Sequence, residues 1–205
     1  FCAGADINWM QASGAQTTKQ NRNDAARLDR LFNSLWSHPC FTIGAVQGVA
    51  LGGGAGLIAC LDHVIGESGT KIALSEGKLG ILPAVIGPYV YRRLGSAQTR
   101  RLAMLAKRIG VEEALRIGMI DERVESSEQF SQAIEDVIAE VLTTGPSAVG
   151  EAKRLVLQFD RWNGGDEELR QWTLDKTAEM RGSSEGQEGL SSFIERRPPA
   201  WNSED

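Results

Sequence analysis

Residues 41–60 read FTIGAVQGVALGGGAGLIAC, and this stretch predicts how the chain changes from strand to helix. The run Phe41–Val46 contains β-branched residues and is too short for a helix, so we predict a strand. Gly48 and the cluster Gly52–Gly54 follow, and such glycines mark a tight turn. Leu57–Cys60 is apolar and is predicted to be helical. The stretch therefore has the order strand, tight turn, helix.

Strands and helices also alternate on either side of this stretch. Thr18–Ser37 has apolar residues at helical spacing and is closed by Pro39, which predicts an amphipathic helix. Two strands, Val64–Ile65 and Ile72–Leu74, are predicted around a turn at Glu67–Thr70. This alternation is typical of an α/β layer arrangement. Beyond it we predict helices over 84–94, 97–109 and 111–117 and a strand over 119–124.

The pattern changes after Ser127, where predicted helices follow one another with no strand between them. We therefore predict an α/β core over residues 1–126 and an all-helical region over residues 127–205. Apolar stripes in these helices exceed what a thin appendage can bury against itself, so a subunit interface is predicted to cover them. The predicted helices are 130–142, 147–159, 167–180 and 189–196.

Composition and charge exclude several classes of protein. The formal net charge is -5 and the Lys and Arg residues are scattered, so the basic surface expected of a nucleic-acid-binding protein is missing. The three cysteines lack metal-binding spacing and lie among apolar residues, which indicates a reducing compartment and no metal. No apolar run approaches the roughly 18 residues that a membrane-spanning helix needs. We expect a cytoplasmic protein that binds neither nucleic acid nor membrane.

Two glycine-containing segments, Phe1–Asp6 and Leu51–Gly54, lie where a strand passes into a turn or a helix. Backbone N–H groups at such junctions lack intrahelical acceptors and can bind an anionic oxygen. Glycine lets a ligand oxygen approach because no Cβ stands in the way. Close packing of a helix on a strand is an alternative explanation of Gly52–Gly54. The side-chain acceptors of Asp6 suit it to orient the turn that presents Ala5.

Six motifs match, in order, those of a known family and span nearly the whole chain. The chain resembles the enoyl-CoA hydratase/isomerase (crotonase) superfamily, and several ordered motifs are stronger evidence than any one of them. The family chain normally has a further strand-rich segment before the first motif, so part of the N-terminus is expected to be absent. The motifs are CAGAD (2–6), QGVALGGG (47–54), LD (61–62), LSEGKLGILP (74–83), ALRIG (114–118) and ERRPP (195–199).

The resemblance implies both a fold and a chemistry. The implied fold is a spiral of ββα units with a C-terminal helical trimerisation region, so a homotrimer or a dimer of trimers is expected. Catalytic roles are implied for Glu76 and for the backbone amides of Ala5 and Gly53, which would form an oxyanion hole for the carbonyl oxygen of an acyl-CoA thioester. Coenzyme A is then part of the substrate, and no other cofactor is expected.

The carboxylates depart from the pattern of the family's hydratases. Those enzymes commonly have one carboxylate shortly after the second oxyanion glycine and another at the end of the next hairpin; these positions are Gly56 and Glu76 here. A lone glutamate fits hydration of an enoyl-CoA with Glu76 as general acid and base, and it also fits migration of a double bond. A third alternative is an oligomer that binds acyl-CoA without turnover.

Three further sequence features indicate which acyl group the substrate carries. Asn8–Met10, Gly56 and the stretch Pro83–Val90 resemble the methylglutaconyl-CoA hydratase subgroup and its isohexenylglutaconyl relative. Substrates of that subgroup are branched enoyl-CoA esters with a second carboxylate, and the nearby cations are candidates to bind it. These cations are Lys78, Arg92 and Arg93. Substrate-binding residues are predicted at Ala3, Asp6, Trp9, Met10, Gly52, Gly56, Pro83 and, for a CoA phosphate, Arg196.

Overall fold

The computed structural model describes residues 1–202. The chain forms two compact units. The first comprises Phe1–His38 and Thr42–Ile134, and the second comprises Pro39–Phe41 and the residues from Glu135 onward. The first unit contains every strand in the described part of the chain, whereas the second is helical. The predicted division into an α/β core and a helical region is therefore present.

The strands of the first unit form two sheets. They are β1 (Ile43–Val46), β2 (Val49–Leu51), β3 (His63–Glu67), β4 (Lys71–Ala73), β5 (Ile109–Gly110) and β6 (Glu122–Val124). Within residues 1–202 the order is β1-β3-β6 in one three-stranded sheet and β2-β4-β5 in the other. The first sheet is parallel throughout, while in the second β2 and β4 are parallel and β5 is antiparallel to β4. Parallel pairing suits the apolar, largely buried strands β1 and β3.

Consecutive strands enter different sheets. Gly48, with φ of +70°, turns the chain from β1 into β2, and residues 68–70 turn it from β3 into β4. The two strands predicted around Glu67–Thr70 are thus present, but each pairs with a strand of another repeat. The β1-β2 and β3-β4 units are each followed by a helix. Equivalent strands of the two repeats pair with each other, β1 with β3 and β2 with β4. This is the spiral of ββα units that was predicted.

Within residues 1–202, five α-helices lie wholly in the first unit. They are α1 (Ile7–Gly14), α2 (Thr18–Trp36), α3 (Gly53–Ala59), α4 (Gly87–Leu105) and α5 (Val111–Arg116). Helices α2 to α5 contribute apolar residues to the core that they share with these strands, whereas α1 leaves Ile7 and Trp9 exposed. In α2 a capping box starts the helix: Thr17 Oγ1 accepts from the Gln20 N–H, and the Gln20 side chain accepts from the Thr17 N–H. Its apolar stripe, which includes Leu28, Phe32 and Leu35, faces the core.

Helix α4 differs from the two helices predicted over 84–94 and 97–109. Non-helical backbone at Gly95 (φ 72°, ψ 172°) interrupts it, which agrees with a break between two helical segments. It ends at Leu105, earlier than predicted, because Ala106 adopts a left-handed conformation (φ 46°) and its N–H donates to the Leu102 carbonyl. Ile109, predicted to be helical, then pairs with Ile72 in the second sheet.

The second unit consists of packed helices. Within the described residues these are the C-terminal end of α6 (Phe130–Leu142), α7 (Pro146–Arg161), α8 (Asp166–Gly182) and α9 (Ser184–Glu195). Glu185 at the start of α9 accepts hydrogen bonds from the Ser147 and Ala148 N–H groups and so caps α7. The Trp172 ring of α8 lies 6.2 Å from the Phe159 ring of α7, measured between centroids.

The boundary between the units falls inside α6, after Ile134, rather than at residue 126. The first turns of α6 belong to the first unit because Phe130 and Ala133 are buried with Ile65 and Val124. Sequence periodicity shows that α6 is amphipathic but not which apolar residues it meets. Within residues 1–202, no helix is both long enough and apolar enough to cross a membrane.

Candidate active site

The N-terminal segment lies beside β2. The Cys2 N–H donates to the Val49 carbonyl oxygen at 2.9 Å, and the Leu51 N–H donates to the Cys2 carbonyl oxygen at 3.0 Å. Cys2 thereby forms a parallel bridge with Ala50. This pairing brings the two glycine-containing segments of the sequence side by side.

Two glycines permit the close approach of these segments. A Cβ at Gly54 would lie 2.4 Å from the Cys2 carbonyl oxygen, and a Cβ at Gly4 would lie 2.9 Å from the Leu51 carbonyl oxygen. Gly4 also has φ of +97°, which side chains of L-residues rarely adopt. Close packing therefore explains Gly54, whereas Gly52 and Gly53 line a cavity.

The backbone N–H groups of Ala5 and Gly53 have no hydrogen-bond acceptor within residues 1–202. Gly53 is the first residue of α3, where N–H groups lack intrahelical acceptors. Ala5 precedes α1, whose N-cap Asp6 accepts hydrogen bonds from the Asn8 and Trp9 N–H groups at 2.7 and 3.1 Å. The Asp6 carboxylate therefore fixes the turn after Ala5 and leaves the Ala5 N–H available to a ligand.

A cavity of about 390 Å³ opens beside these two segments. Its volume lies within the range of small-molecule pockets. Ala5, Gly53 and Glu76 all line it, and Ser75 and Glu76 are the lining side chains that carry oxygen atoms. The other lining residues are Cys2, Ala3, Gly4, Ile7, Met10, Leu28, Leu31, Phe32, Gly52, Leu57, Leu79, Ile81, Leu82, Pro83, Ala84, Val85 and Ile86.

Glu76 reaches the cavity from a 3-10 turn, Ser75–Leu79, that follows β4. Its Oε1 lies 3.3 Å from the position that a Cβ at Gly52 would occupy, and Gly52 has φ of +51°. Its Oε2 is buried and has no hydrogen-bond partner within residues 1–202. Loss of hydration on burial raises the pKa of the Glu76 carboxyl above its usual range. The carboxyl thus lies against the glycine segment that precedes α3, with Oε2 unpartnered in the described part of the chain and a backbone hydrogen bond that partly offsets the rise in pKa.

Gly56 was predicted to bind substrate but does not line the cavity. It is buried in α3 behind Ile86 and Phe32, which do line it. A Cβ at Gly56 would lie 2.3 Å from Ile86 Cγ2 and 3.1 Å from Phe32 Cε1. Apolar side chains therefore fill the space in which a second carboxylate at this position would stand.

The other residues predicted to bind substrate divide into two groups. Ala3, Met10, Gly52 and Pro83 line the cavity. Asp6, Trp9 and Arg196 do not: Asp6 caps α1, and the Trp9 side chain of α1 is 43% exposed. Arg196 lies in the second unit, where it ends α9 in a left-handed conformation.

None of the three cations proposed for a distal carboxylate lines this cavity. The Arg93 guanidinium donates to the Gly118 and Leu61 carbonyl oxygens and to Asp121 Oδ2. It therefore links three chain segments by hydrogen bonds and has a structural role. The Arg92 guanidinium lies over the Trp36 ring, 6.0 Å from its centroid. Lys78 lines a neighbouring cavity with Lys107 and Arg108.

Two parts of the cavity wall were missed from the sequence. Leu28, Leu31 and Phe32 of α2 form one of them, and the helical stripe that predicted α2 was the available signal. Ser75 is the other: it precedes Glu76 in the motif LSEGKLGILP, whose resemblance to the family implies a role for Glu76 alone. Within residues 1–202 no three His, Cys, Asp or Glu side chains lie close enough together to hold a metal ion.

Comparisons with known proteins agree with this fold. A family model described as enoyl-CoA hydratase/isomerase matches residues 1–204. The crystal structure of an enoyl-CoA hydratase from Shewanella pealeana superposes with a TM-score of 0.90 at 37% identity, covering 98% of this chain and 74% of that one. AtuE from Pseudomonas aeruginosa superposes with a TM-score of 0.92 at 33% identity, covering 99% of this chain and 78% of that one.

Among relatives known by sequence, the mitochondrial methylglutaconyl-CoA hydratase of Rattus norvegicus is 28% identical over 215 residues. The match covers 100% of this chain and 64% of the rat protein, so the chain spans less than two thirds of that relative. The assignment of the chain to a family rests on the family model and on the two solved structures. The chain therefore belongs to the enoyl-CoA hydratase/isomerase family of enzymes, which confirms the resemblance and the crotonase-like fold predicted from its motifs.

Proposed function

We propose that the protein is an enoyl-CoA hydratase that adds water to an α,β-unsaturated acyl-CoA or removes it in the reverse direction. One observation carries the proposal: a single cavity is lined by Ala5 and Gly53, whose N–H groups have no acceptor within residues 1–202, and by Glu76, whose Oε2 is buried and unpartnered. Hydration of a thioester needs such N–H donors for the carbonyl oxygen and a group that moves a proton between oxygen and carbon.

In this proposal the two amides act on the thioester carbonyl oxygen. Bond formation at the β-carbon moves negative charge onto that oxygen. Preorganised N–H donors stabilise the charge, and removal of one such donor typically costs about 3 to 4 kcal/mol. Apolar side chains around the cavity strengthen the interaction because they exclude water and lower the local dielectric constant.

The Glu76 carboxylate carries the proton. It accepts a proton from water as the water oxygen bonds to the β-carbon and the electron pair of the double bond moves toward the thioester oxygen. The carboxyl then donates this proton to the α-carbon, the thioester re-forms and the carboxylate is restored. Burial raises the pKa of Glu76 toward neutral pH, which suits a group that both accepts and donates a proton.

Migration of a double bond is a second candidate, and the surroundings of Gly56 favour it. Ile86 and Phe32 occupy the space where a second carboxylate would stand, which leaves Glu76 as the acid among the cavity-lining residues. One carboxylate suffices to remove a proton from one carbon and return it to another, because no water has to be held. The two reactions share the amides and Glu76 and differ in the need for water.

The side chains that line the cavity indicate which acyl group it can hold. A branched, methylglutaconyl-like ester is supported by the sequence motifs and by the name of the rat relative. The described residues that line the cavity include no Lys or Arg to bind a distal carboxylate, whereas Leu28, Leu31 and Ile81 offer apolar contacts. We therefore propose a branched, apolar enoyl-CoA as the preferred substrate and a methylglutaconyl-CoA as the alternative.

A homotrimer, or a dimer of trimers, is proposed as the assembly. The helices of the second unit leave large apolar side chains exposed: Phe193 is 84% and Ile194 78% exposed. Leu142, Val156 and Leu174 are also more than half exposed. Apolar surface of this kind marks a protein contact. Light scattering coupled to size-exclusion chromatography tests the proposal, and a monomer at micromolar concentration would contradict it.

Incubation with separate enoyl-CoA esters tests the function. The panel contains linear and branched 2-enoyl-CoA esters, methylglutaconyl-CoA and a 3-enoyl-CoA, with isotopically labelled water and product analysis by mass spectrometry. A hydratase incorporates one labelled oxygen into 2-enoyl substrates, whereas an isomerase shifts the double bond of the 3-enoyl ester without labelled oxygen. A product from none of them, with acyl-CoA still bound, would instead support binding without turnover.

A further inference from the structure

Hydration with one carboxylate leaves the attacking water short of a partner. A water that is to attack the β-carbon must be held in place, and a single carboxylate fixes only one of its hydrogen bonds. Gly56 supplies no side chain, and Ile86 covers it. Another polar group on the cavity wall is therefore needed, and Ser75 and Glu76 are the lining side chains with an oxygen atom.

Ser75 and Glu76 face the same small volume. Around the position that a Cβ at Gly52 would occupy, Glu76 Oε1 lies at 3.3 Å and Ser75 Oγ at 3.6 Å. Gly52 has no Cβ, so the space above it stays open. It adjoins Gly53, whose N–H group is one of the two donors assigned to the thioester oxygen. We expect a water beside Gly52 to come within hydrogen-bond reach of both side-chain oxygens, next to the Gly53 N–H.

The Ser75 hydroxyl has no other partner in the described part of the chain. The structure records no hydrogen bond from or to Ser75 Oγ within residues 1–202, and this oxygen is not fully buried, so water can reach it. Ser75 is half-buried at the start of the 3-10 turn and directly precedes Glu76, so the same turn fixes both residues. A half-buried hydroxyl without a protein partner is satisfied by water, which is the ligand this site needs.

We propose that Ser75 is a further catalytic residue, which holds the attacking water together with Glu76 and takes the place of the missing second carboxylate. The inference rests on the proposed hydratase function. The Ser75 hydroxyl hydrogen-bonds to the water oxygen and keeps its own proton. The water gives one proton to Glu76 and its oxygen to the β-carbon, and Glu76 passes that proton to the α-carbon, so one whole water is added.

Two reactions that differ only in the need for water test the role of Ser75. The first is hydration of a 2-enoyl-CoA, followed by the ultraviolet absorbance of the conjugated thioester. The second is exchange of the α-proton of butyryl-CoA in deuterated water, which uses Glu76 and the two amides but no attacking water. The variants are Ser75→Ala and, as the matched control, Ser131→Ala at an exposed position of α6.

Ser75→Ala is expected to lower kcat for hydration about tenfold, the loss of one neutral hydrogen bond. It should leave the rate of α-proton exchange within about twofold of the parent. The Ser131→Ala control should change neither rate. A hydration rate equal to that of the parent would overturn the inference, as would an equal fall in both rates, which indicates a structural role. If the parent protein hydrates no enoyl-CoA, the proposed function fails as well.

Discussion

Gly54 and Cys2 approach so closely that a Cβ at Gly54 would lie 2.4 Å from the Cys2 carbonyl oxygen. The contact is between backbones, so no side-chain rotation relieves it. Cys2 is bonded to both ends of β2 by backbone hydrogen bonds, and Ala5 follows three residues later. The position of the Ala5 N–H relative to the Gly53 N–H therefore depends on the absence of a side chain at Gly54.

Gly54→Ala is expected to destabilise the protein by about 3 kcal/mol, because the new methyl group forces the N-terminal segment away from β2. The same displacement should lower kcat, since the Ala5 amide moves with the segment. Equilibrium unfolding in urea and steady-state hydration measure the two effects. Gly14→Ala is the matched control: a Cβ there meets nothing within 4 Å, and its effect should stay within about 0.5 kcal/mol.

Gly56→Ala should also destabilise the protein, by about 2 kcal/mol, because its Cβ would lie 2.3 Å from Ile86 Cγ2. Truncation of Ile86 to Ala removes Cγ2 but keeps the Ile86 Cβ, 2.8 Å from the same position, so it relieves part of this clash. The double variant Gly56→Ala/Ile86→Ala should therefore be about 1 kcal/mol more stable than the sum of the single effects predicts. A urea-unfolding double-mutant cycle measures the coupling, and strictly additive effects would show that the two residues do not compete for space.

Stability should depend on pH through Glu76. Its folded-state pKa is raised by burial, so its contribution to stability is fully present below the unfolded-state pKa and is lost as pH rises through the raised folded-state value. Glu76→Gln keeps the shape and removes the titration. The variant should melt at a higher temperature than the parent at neutral pH, and the difference should shrink toward pH 4, near the usual pKa of a glutamate. A difference that is independent of pH would contradict the assignment.

The repeat pattern of the fold could be predicted from sequence, but three short elements, β2, α1 and β5, could not. The apolar runs of β1, β3 and α2 are long enough to show their periods. β2 has three residues between Gly48 and Gly52, too few to show a period. Helix α1 was not predicted, because its eight residues carry only a weak apolar stripe. The helix begins where the Asp6 side chain accepts hydrogen bonds from the Asn8 and Trp9 N–H groups. The three-dimensional structure shows this cap, whereas the spacing of apolar residues in the sequence does not.

The candidate site was predictable as a set of motifs and not as an arrangement of atoms. Local motifs indicated Ala5, Gly53 and Glu76, and the structure brings all of them to one cavity. Gly56, predicted to bind substrate, does not line the cavity because Ile86, thirty residues later, lies over it. Such contacts depend on how helices pack, and one sequence carries no direct sign of them. For the same reason the structural role of Arg93 was invisible.

The proposed role of Glu76 as the proton carrier is the central claim, and the turnover of Glu76→Gln tests it most directly. The measurement is kcat for hydration of a 2-enoyl-CoA, with the binding of a saturated acyl-CoA to the same protein measured by calorimetry. We predict that kcat falls at least about 100-fold while the dissociation constant stays within about threefold, because the amides that hold the thioester are intact. Hydration by Glu76→Gln at close to the parent rate would contradict the account.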